Sequence, residues 1–255
     1  MAGNAREPGV SVASRVLAVL GAFDAAHDRL TLSEIARRSG QPLATAHRLV
    51  AELERWGGLT RSDDGAYGIG RRLWDVGTLA RVERDLRDVA SPFLQDVHRT
   101  TRETVHLAVR DGLHALYVDR LVDRTTAQVL SRAGARLPLH ATAVGKVLLA
   151  QAPGDVVRAA LTDPVRVTPH TITEPGRLHR EVAEVRRRGF ARTAEEMTPG
   201  AWSVAVPIAL PGGGVVASLG IVVASPRRDL VRLVPVLQVA ANGIGRELPP
   251  GWTPT

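Results

Sequence analysis

Apolar residues recur at helical spacing through the first hundred positions and change to alternation after residue 105. Val12, Val16, Val19, Leu20 and Phe23 fall at i, i+4, i+7, i+8 and i+11, which predicts one amphipathic helix ending near residue 25. The stretch 31–55, TLSEIARRSGQPLATAHRLVAELER, carries two more helices. Thr31 and Glu34 have capping-box spacing, Leu32, Ile35 and Ala36 form one stripe, and Gly40 after Ser39 marks a stop. Pro42 suits a first helical position, where its missing N–H matters little. Ala46, Leu49, Val50 and Leu53 then give the buried side of a second helix. Leu43, Ala44, Thr45, His47 and Arg48 are left near its start, partly outward, where a recognition helix meets base edges and phosphates.

Two helices joined by a short turn are also common packing units with no DNA role. The segment 59–69 favours DNA. Leu59-Thr60-Arg61, a turn at Ser62-Asp63-Asp64-Gly65 and Tyr67-Gly68-Ile69 read as a β-hairpin with an Asp-Gly turn. Helix, helix-turn-helix and hairpin make the winged arrangement, and the wing could set Arg61 against phosphate.

Residues 71–81 and 82–100 read as further helices. Leu73, Val76, Leu79 and Ala80 form one stripe; Leu86, Val89, Ala90, Phe93, Leu94 and Val97 form another, with Pro92 expected to kink the second helix or to begin a new one. Such a segment is a good mechanical transmitter or a passive spacer. From Val105 the signal is β: Val105, Leu107 and Val109 alternate with His106 and Ala108, Asp111-Gly112 turns, and 115–121 is a second strand. A polar loop rich in Arg runs to Leu137, then LPLHATAVGKVLLA feeds a helix. Helices at 155–161 and 177–188, strands at 190–192, 202–210 and 215–223, and a final amphipathic helix from Leu230 complete the chain. Strands and helices mix without a strict βαβ repeat, which makes the fold class α+β. The expected domains are 10–70 for DNA binding, 71–100 as a linker helix and 101–248 as the larger sheet domain.

Composition narrows the class. At 255 residues and 44% apolar there is room for two domains with real cores, built mainly of Val, Leu and Ala because aromatics are 4%. There is no Cys, no run of about 20 apolar residues and no apolar core of signal-peptide length near the start, so a cytoplasmic protein without a membrane partner is expected. The net charge of +7 does not itself argue for DNA. Residues 1–70 hold eight Arg against eight acids, and 105–255 hold eighteen basic residues against twelve acids, so the excess lies away from the helix-turn-helix. The DNA reading therefore depends on where Arg37, Arg38, Arg48 and Arg61 point.

Catalytic signatures are missing. Gly145-Lys146 resembles a phosphate loop only in those two residues, since His140 stands at the earlier Gly and Val147 at the magnesium-binding hydroxyl. Ser203 between Ala201 and Ala205 is no nucleophile elbow. The histidines show no metal-ligand spacing, and adjacent Glu195 and Glu196 should diverge. Neither catalytic residues nor a metal or other cofactor is expected.

The whole chain, about 11–248, resembles the IclR family of bacterial transcription regulators. The matching stretches are SVASRVLAVLGAF, TLSEIARRSG with QPLATAHRLVAELERWG, YGIGRRLWDVG, TRETVHLAVRDG with LYVDRL, LPLHATAVGKVLLA, VRRRGFAR with EE, and SVAVPIALPGGGVVASLG. The resemblance implies a winged helix-turn-helix, a linker helix and a GAF-like domain that binds a small-molecule effector. It implies dimers or tetramers on palindromic double-stranded operators, repressing or activating. Thr45, His47 and Arg48 match the family pattern, whereas Leu43 and Ala44 stand where Lys and Ser are common, so a phosphate contact and a hydroxyl are missing. For the effector the resemblance implies Ala143 and Val144 before a helix starting at Gly145, where backbone N–H groups can hold an anion. It adds Thr193 where an acid often sits, Ser203 in place of a frequent Cys, and Gly220 and Val222 where some members present hydroxyls. Loss of those hydroxyls implies a larger or more apolar ligand than a pyruvate-like acid. Two other readings stay open: a ligand-binding module that docks on a protein, and an enzyme using Ser203 or His140 of the C-terminal domain.

Overall fold

Ser11 opens the first helix, its side chain accepting the Ser14 N–H at 3.0 Å. The computed structural model describes residues 11–24, 27–78, 84–122, 132–224 and 229–254. Helix α1 (Val12–Leu20) stops well short of residue 25, which itself lies outside the described residues. Gly21, Ala22 and Phe23 turn instead, and the Arg38 side chain takes the Ala22 carbonyl at 2.6 Å. Val19 is buried, but Val12 is 67% exposed, so the apolar side of this helix is shorter than its spacing predicts.

The chain forms two units, Met1–Arg81 and Val82–Thr255. In the first, α2 (Leu32–Ser39) starts with the full capping box: Glu34 N–H donates to Thr31 Oγ1, and Glu34 Oε2 accepts the Thr31 N–H at 2.8 Å. Helix α3 (Leu43–Trp56) crosses it, and Val19, Leu30, Ile35, Val50, Leu53, Leu59 and Tyr67 close an apolar core. The expected hairpin is β2 (Leu59–Arg61) with β3 (Tyr67–Ile69). A third strand, β1 (Arg29–Leu30), pairs with the other edge of β3, giving the order β1-β3-β2. Two residues are too few to show a period, and the sequence pattern does not predict this strand. Helix α4 (Arg71–Thr78) follows.

The second unit begins with α5 (Arg84–Thr101), which runs unbroken through Pro92. Its Leu86, Ala90, Leu94 and Val97 lie in the core of this unit. The segment expected as a linker is thus divided, α4 in one unit and α5 in the other; Leu79 and Ala80 of its first stripe lie outside the described residues. A six-stranded antiparallel sheet, β6-β5-β4-β9-β8-β7, is built from β4 (Thr104–Asp111), β5 (His114–Leu121), β6 (Arg136–Pro138), β7 (Ala191–Ala194), β8 (Trp202–Ala209) and β9 (Val215–Val223). The short β6 replaces the end of the expected polar loop, whose residues 123–131 lie outside the described set. Between β6 and β7 come α6 (Ala143–Ala150), α7 (Gly154–Thr162) and α8 (Pro175–Arg188); α9 (Val234–Glu247) closes the unit after a 3-10 turn at Leu230–Leu233.

Helices cover both faces of this sheet. Helices α5 and α9 pack with Val105, Leu107 and Val109 on one side, while α6, α7 and α8 pack with Ala108 and Tyr117 on the other. That double cover explains why residues 104–109 are buried without alternation. His106, which alternation would place toward water, is inside.

Candidate DNA-binding face and effector cavity

The turn between α2 and α3 depends on Gly40, whose φ of 65° is left-handed. Pro42 is extended (ψ 142°) and stands just before α3, one residue outside the position its ring suggests; its carbonyl accepts the Thr45 and Ala46 N–H groups at 2.9 Å. Because Ala46, Val50 and Leu53 turn into the core, the opposite side of the first turns is left outside. Leu43, Ala44, His47 and Arg48 are exposed and Thr45 is half-buried. With Leu32 these five border one shallow concavity. Arg48 makes no ion pair or hydrogen bond with any described residue.

The other arginines divide by role. Arg38 is tied to the Ala22 carbonyl and to Asp24, so it fastens α2 to the end of α1. Arg61 lies opposite Tyr67 in register, with its guanidinium 5.6 Å from the ring centre. At the wing turn Gly65 N–H donates to the Ser62 carbonyl, and Arg29 of the unforeseen strand pairs with Asp64 at 2.8 Å. One wing-tip charge is thereby balanced, an arrangement visible only once β1 is placed.

In the second unit Thr193, Ser203 and Val222 border a small cavity of about 30 Å³. Thr193 and Ser203 are register partners and their hydroxyls are hydrogen-bonded. His106, Tyr117 and Thr142 complete its polar lining, with Met197 and Thr198 from the loop after β7. The His106 ring meets Tyr117 edge-on at 5.1 Å. Burial, with the nearby Arg120 charge, pushes the imidazole down to about 3; burial pushes the Tyr117 phenol up, against a hydrogen bond with the Thr142 side chain. Both groups are neutral at physiological pH.

Ala143, Val144 and Gly220 do not line this cavity. Helix α6 starts at Ala143, two residues before Gly145, and Thr142 caps it by accepting the Gly145 N–H at 3.0 Å. The Gly145 N–H is therefore used by the cap. The Ala143 and Val144 side chains belong to the core. Gly220 permits the close packing of α6 on the sheet, since a Cβ there would come 2.8 Å from Val144 Cγ1.

Two acidic neighbours do diverge as expected. Glu195 faces His170 at 3.1 Å, whereas Glu196 turns inward to Lys146, Nζ to Oε1 at 2.7 Å. Lys146 is 1% exposed and Glu196 5%. Burial raises the Glu196 carboxyl above the usual range, and the Lys146 charge opposes that. His106, Tyr117 and this ion pair are buried polar groups whose surroundings sequence reasoning misses. Each depends on elements far apart in the chain, and nothing in local spacing signals them.

An exposed recognition-type helix flanked by a three-stranded wing, in a chain that also carries an antiparallel α+β unit with a small polar cavity, defines a winged helix-turn-helix regulator. The chain belongs to the IclR family. Residues 12–63 match the IclR helix-turn-helix domain and 79–246 match the bacterial transcriptional regulator IclR C-terminal domain. It is 30% identical over 248 residues to the HTH-type transcriptional regulator XynR of Escherichia coli, covering 94% of this chain and 98% of that one. The glycerol operon regulatory protein of Streptomyces coelicolor is 32% identical over 93% of this chain and 96% of its own. An IclR homologue from Microbacterium hydrocarbonoxydans, solved in complex with 4-hydroxybenzoate, superposes with a TM-score of 0.84 at 35% identity, covering 92% of this chain and 98% of that one. This protein is thus an HTH-type transcriptional regulator of the IclR type.

Proposed function

We propose that α3 reads a palindromic operator in double-stranded DNA through Thr45, His47 and Arg48, with Leu43 and Ala44 against the sugar-phosphate edge and Arg61 of the wing near phosphate. The observation that carries this is the first half of α3, exposed on one side while its other side is locked into the core. A dimer or tetramer acting in the cytoplasm would present two such helices roughly 34 Å apart or a multiple of that. Arg48 is free to meet phosphate or a base edge without breaking an existing pair.

The cavity bordered by Thr193, Ser203 and Val222 is the proposed effector site; Ala143, Val144 and Gly220 act only through the packing of α6 on the sheet. The homologue's complex with 4-hydroxybenzoate supports a small-molecule effector for this chain. A volume of about 30 Å³ admits about two waters, so a ring-sized ligand must displace Met197 and its neighbours. An effector that binds one arrangement better shifts the populations; about 1–3 kcal/mol of coupling changes operator affinity about 5–150-fold. The relatives' names support a chain that binds its ligand without converting it.

The experiment is protection of the DNA upstream of the protein's own gene at physiological salt, repeated on genomic fragments selected by the protein, with wild type and Arg48→Ala. A palindromic patch protected by wild type, with affinity lowered about tenfold or more in Arg48→Ala, is expected. Equal affinity in the variant would remove Arg48 from the interface, and the absence of salt-dependent binding to any DNA would overturn the reading.

A further inference from the structure

Strand β7 is the edge of the six-stranded sheet and, among the described residues, pairs only with β8. Ala191 and Thr193 turn inward along it, and Arg192 and Ala194 outward. Outside it lie two adjoining hollows of about 370 and 460 Å³, with Ile172, Arg177, Ala194 and Glu196 common to both. Each is within the roughly 300–1,000 Å³ of small-molecule sites. Thr193 backs both the first hollow and the effector cavity, so a single strand separates the two spaces.

Most charges here are paired, Lys146 with Glu196 at 2.7 Å and Glu181 at 3.9 Å, but two guanidinium groups are not. Arg166 is held by the Thr171 carbonyl and the Thr173 hydroxyl, and Arg188 by the Phe190 carbonyl and ring. The guanidinium groups of Arg177 and Arg192, by contrast, make no ion pair or hydrogen bond among the described residues, although the Arg177 backbone N–H donates to Glu174. On the floor, Glu196 gives Oε1 to Lys146, while its Oε2 is buried and makes no hydrogen bond of normal geometry, the Ile172 N–H being the donor that approaches the carboxyl. Buried polar atoms of this kind are rare and call for a partner. Glu181 adds a second carboxylate to the wall.

We propose that this cleft is a second ligand site, separate from the effector cavity, that takes a small carboxylic acid bearing a hydrogen-bond donor at its other end, the pattern of a free α-amino acid. The carboxylate meets Arg177 and Arg192 in charge-assisted hydrogen bonds, and the ammonium donates to Glu196 Oε2. A simple anion would be repelled by Glu181 and Glu196, and a simple amine by the two guanidinium groups. Only a ligand carrying both signs satisfies the whole wall.

Calorimetric titration of the full chain with the standard amino acids, each paired with its des-amino acid, tests this. Saturable binding is expected for at least one amino acid and not for its des-amino partner. Affinity should fall about tenfold or more in Arg177→Gln and in Arg192→Gln, and hold in Ser203→Val, which alters the effector cavity. Both arginines are exposed, and circular dichroism should report unchanged folding. Three outcomes overturn the proposal: no saturable heat up to about 10 mM, equal binding of des-amino acids, or loss of binding in Ser203→Val with retention in both arginine variants. The last would place the ligand in the effector cavity, leaving that reading intact while removing the second site.

Discussion

The two units handle polar chemistry in opposite ways. In the first, the core is apolar and the side chains proposed to work, Thr45, His47 and Arg48, are displayed on the outer side of a helix. Among the described residues every buried Lys, Glu, His, Thr or Ser side chain lies in the second unit. One unit can therefore change its binding surface with little effect on stability. The other has its recognition chemistry built into its core, so that changing what it binds also changes how well it stands. Substitutions that separate affinity from stability test this contrast.

The largest effect is expected at Lys146. Lys146→Ala leaves Glu196 buried beside no cation, which should cost about 3–5 kcal/mol. Urea unfolding of the second unit reads this loss. The double variant Lys146→Met, Glu196→Leu removes both charges and should recover most of it, because an apolar pair of similar volume avoids desolvating two ions. A loss under about 1 kcal/mol in the single variant, the range of a surface pair, would break the contrast.

Next is the buried imidazole. With a folded value of about 3 against 6.5, His106 resists a proton that the unfolded chain accepts. Its contribution therefore falls as pH drops below 6.5 and continues falling toward 3. At pH 5 the loss is about 2 kcal/mol. Glu196, held up by burial, acts in the opposite sense, so the useful quantity is the difference between wild type and His106→Gln. Urea midpoints at pH 7 and pH 5 should converge between the two proteins as the pH falls. Parallel midpoints would mean that His106 is protonated without strain.

The contrast also explains what could be read before any coordinates. Stripes such as Ala46, Leu49, Val50 and Leu53 announce a helix and its exposed side together, so the first unit was legible down to its capping box. The two-residue β1 was not, nor was Arg29 on Asp64, because short strands have no period. In the second unit most elements were visible as runs, but not the cover on both sheet faces. Without that cover His106 reads as a solvent-facing residue and Lys146 as a fragment of a failed phosphate loop. The family resemblance directed attention to Thr193, Ser203 and Val222; it could not say that Gly220 and Val144 are used up in packing. Alternation along a strand says which residues share a face, and only the tertiary fold says what lies over that face.

The smallest expected effect lies where the first unit does invest polar groups in its own stability, at the α2 cap. Thr31→Ala removes the hydroxyl that accepts the Glu34 N–H and donates to its carboxylate, a change of about 1 kcal/mol. The Thr31 backbone N–H still reaches Glu34, so half the box survives. The two Thr31 hydrogen bonds, the backbone one larger, hold the Glu34 carboxyl below its usual value. Its contribution is therefore present above the unfolded pKa of 4.5 and is lost as pH falls through the lower folded value. Thermal melts of the first unit's transition at pH 7 should fall by a few degrees in Thr31→Ala, and that gap should narrow in acid. Operator affinity measured well below the melt should stay within about twofold of wild type, since the Thr31 hydroxyl bonds to Glu34 and not to α3, even though its neighbour Leu32 borders the concavity of α3. A variant that lost operator affinity while keeping its melting temperature would show that the cap acts on the DNA face directly, and would place recognition chemistry on α2 as well as α3.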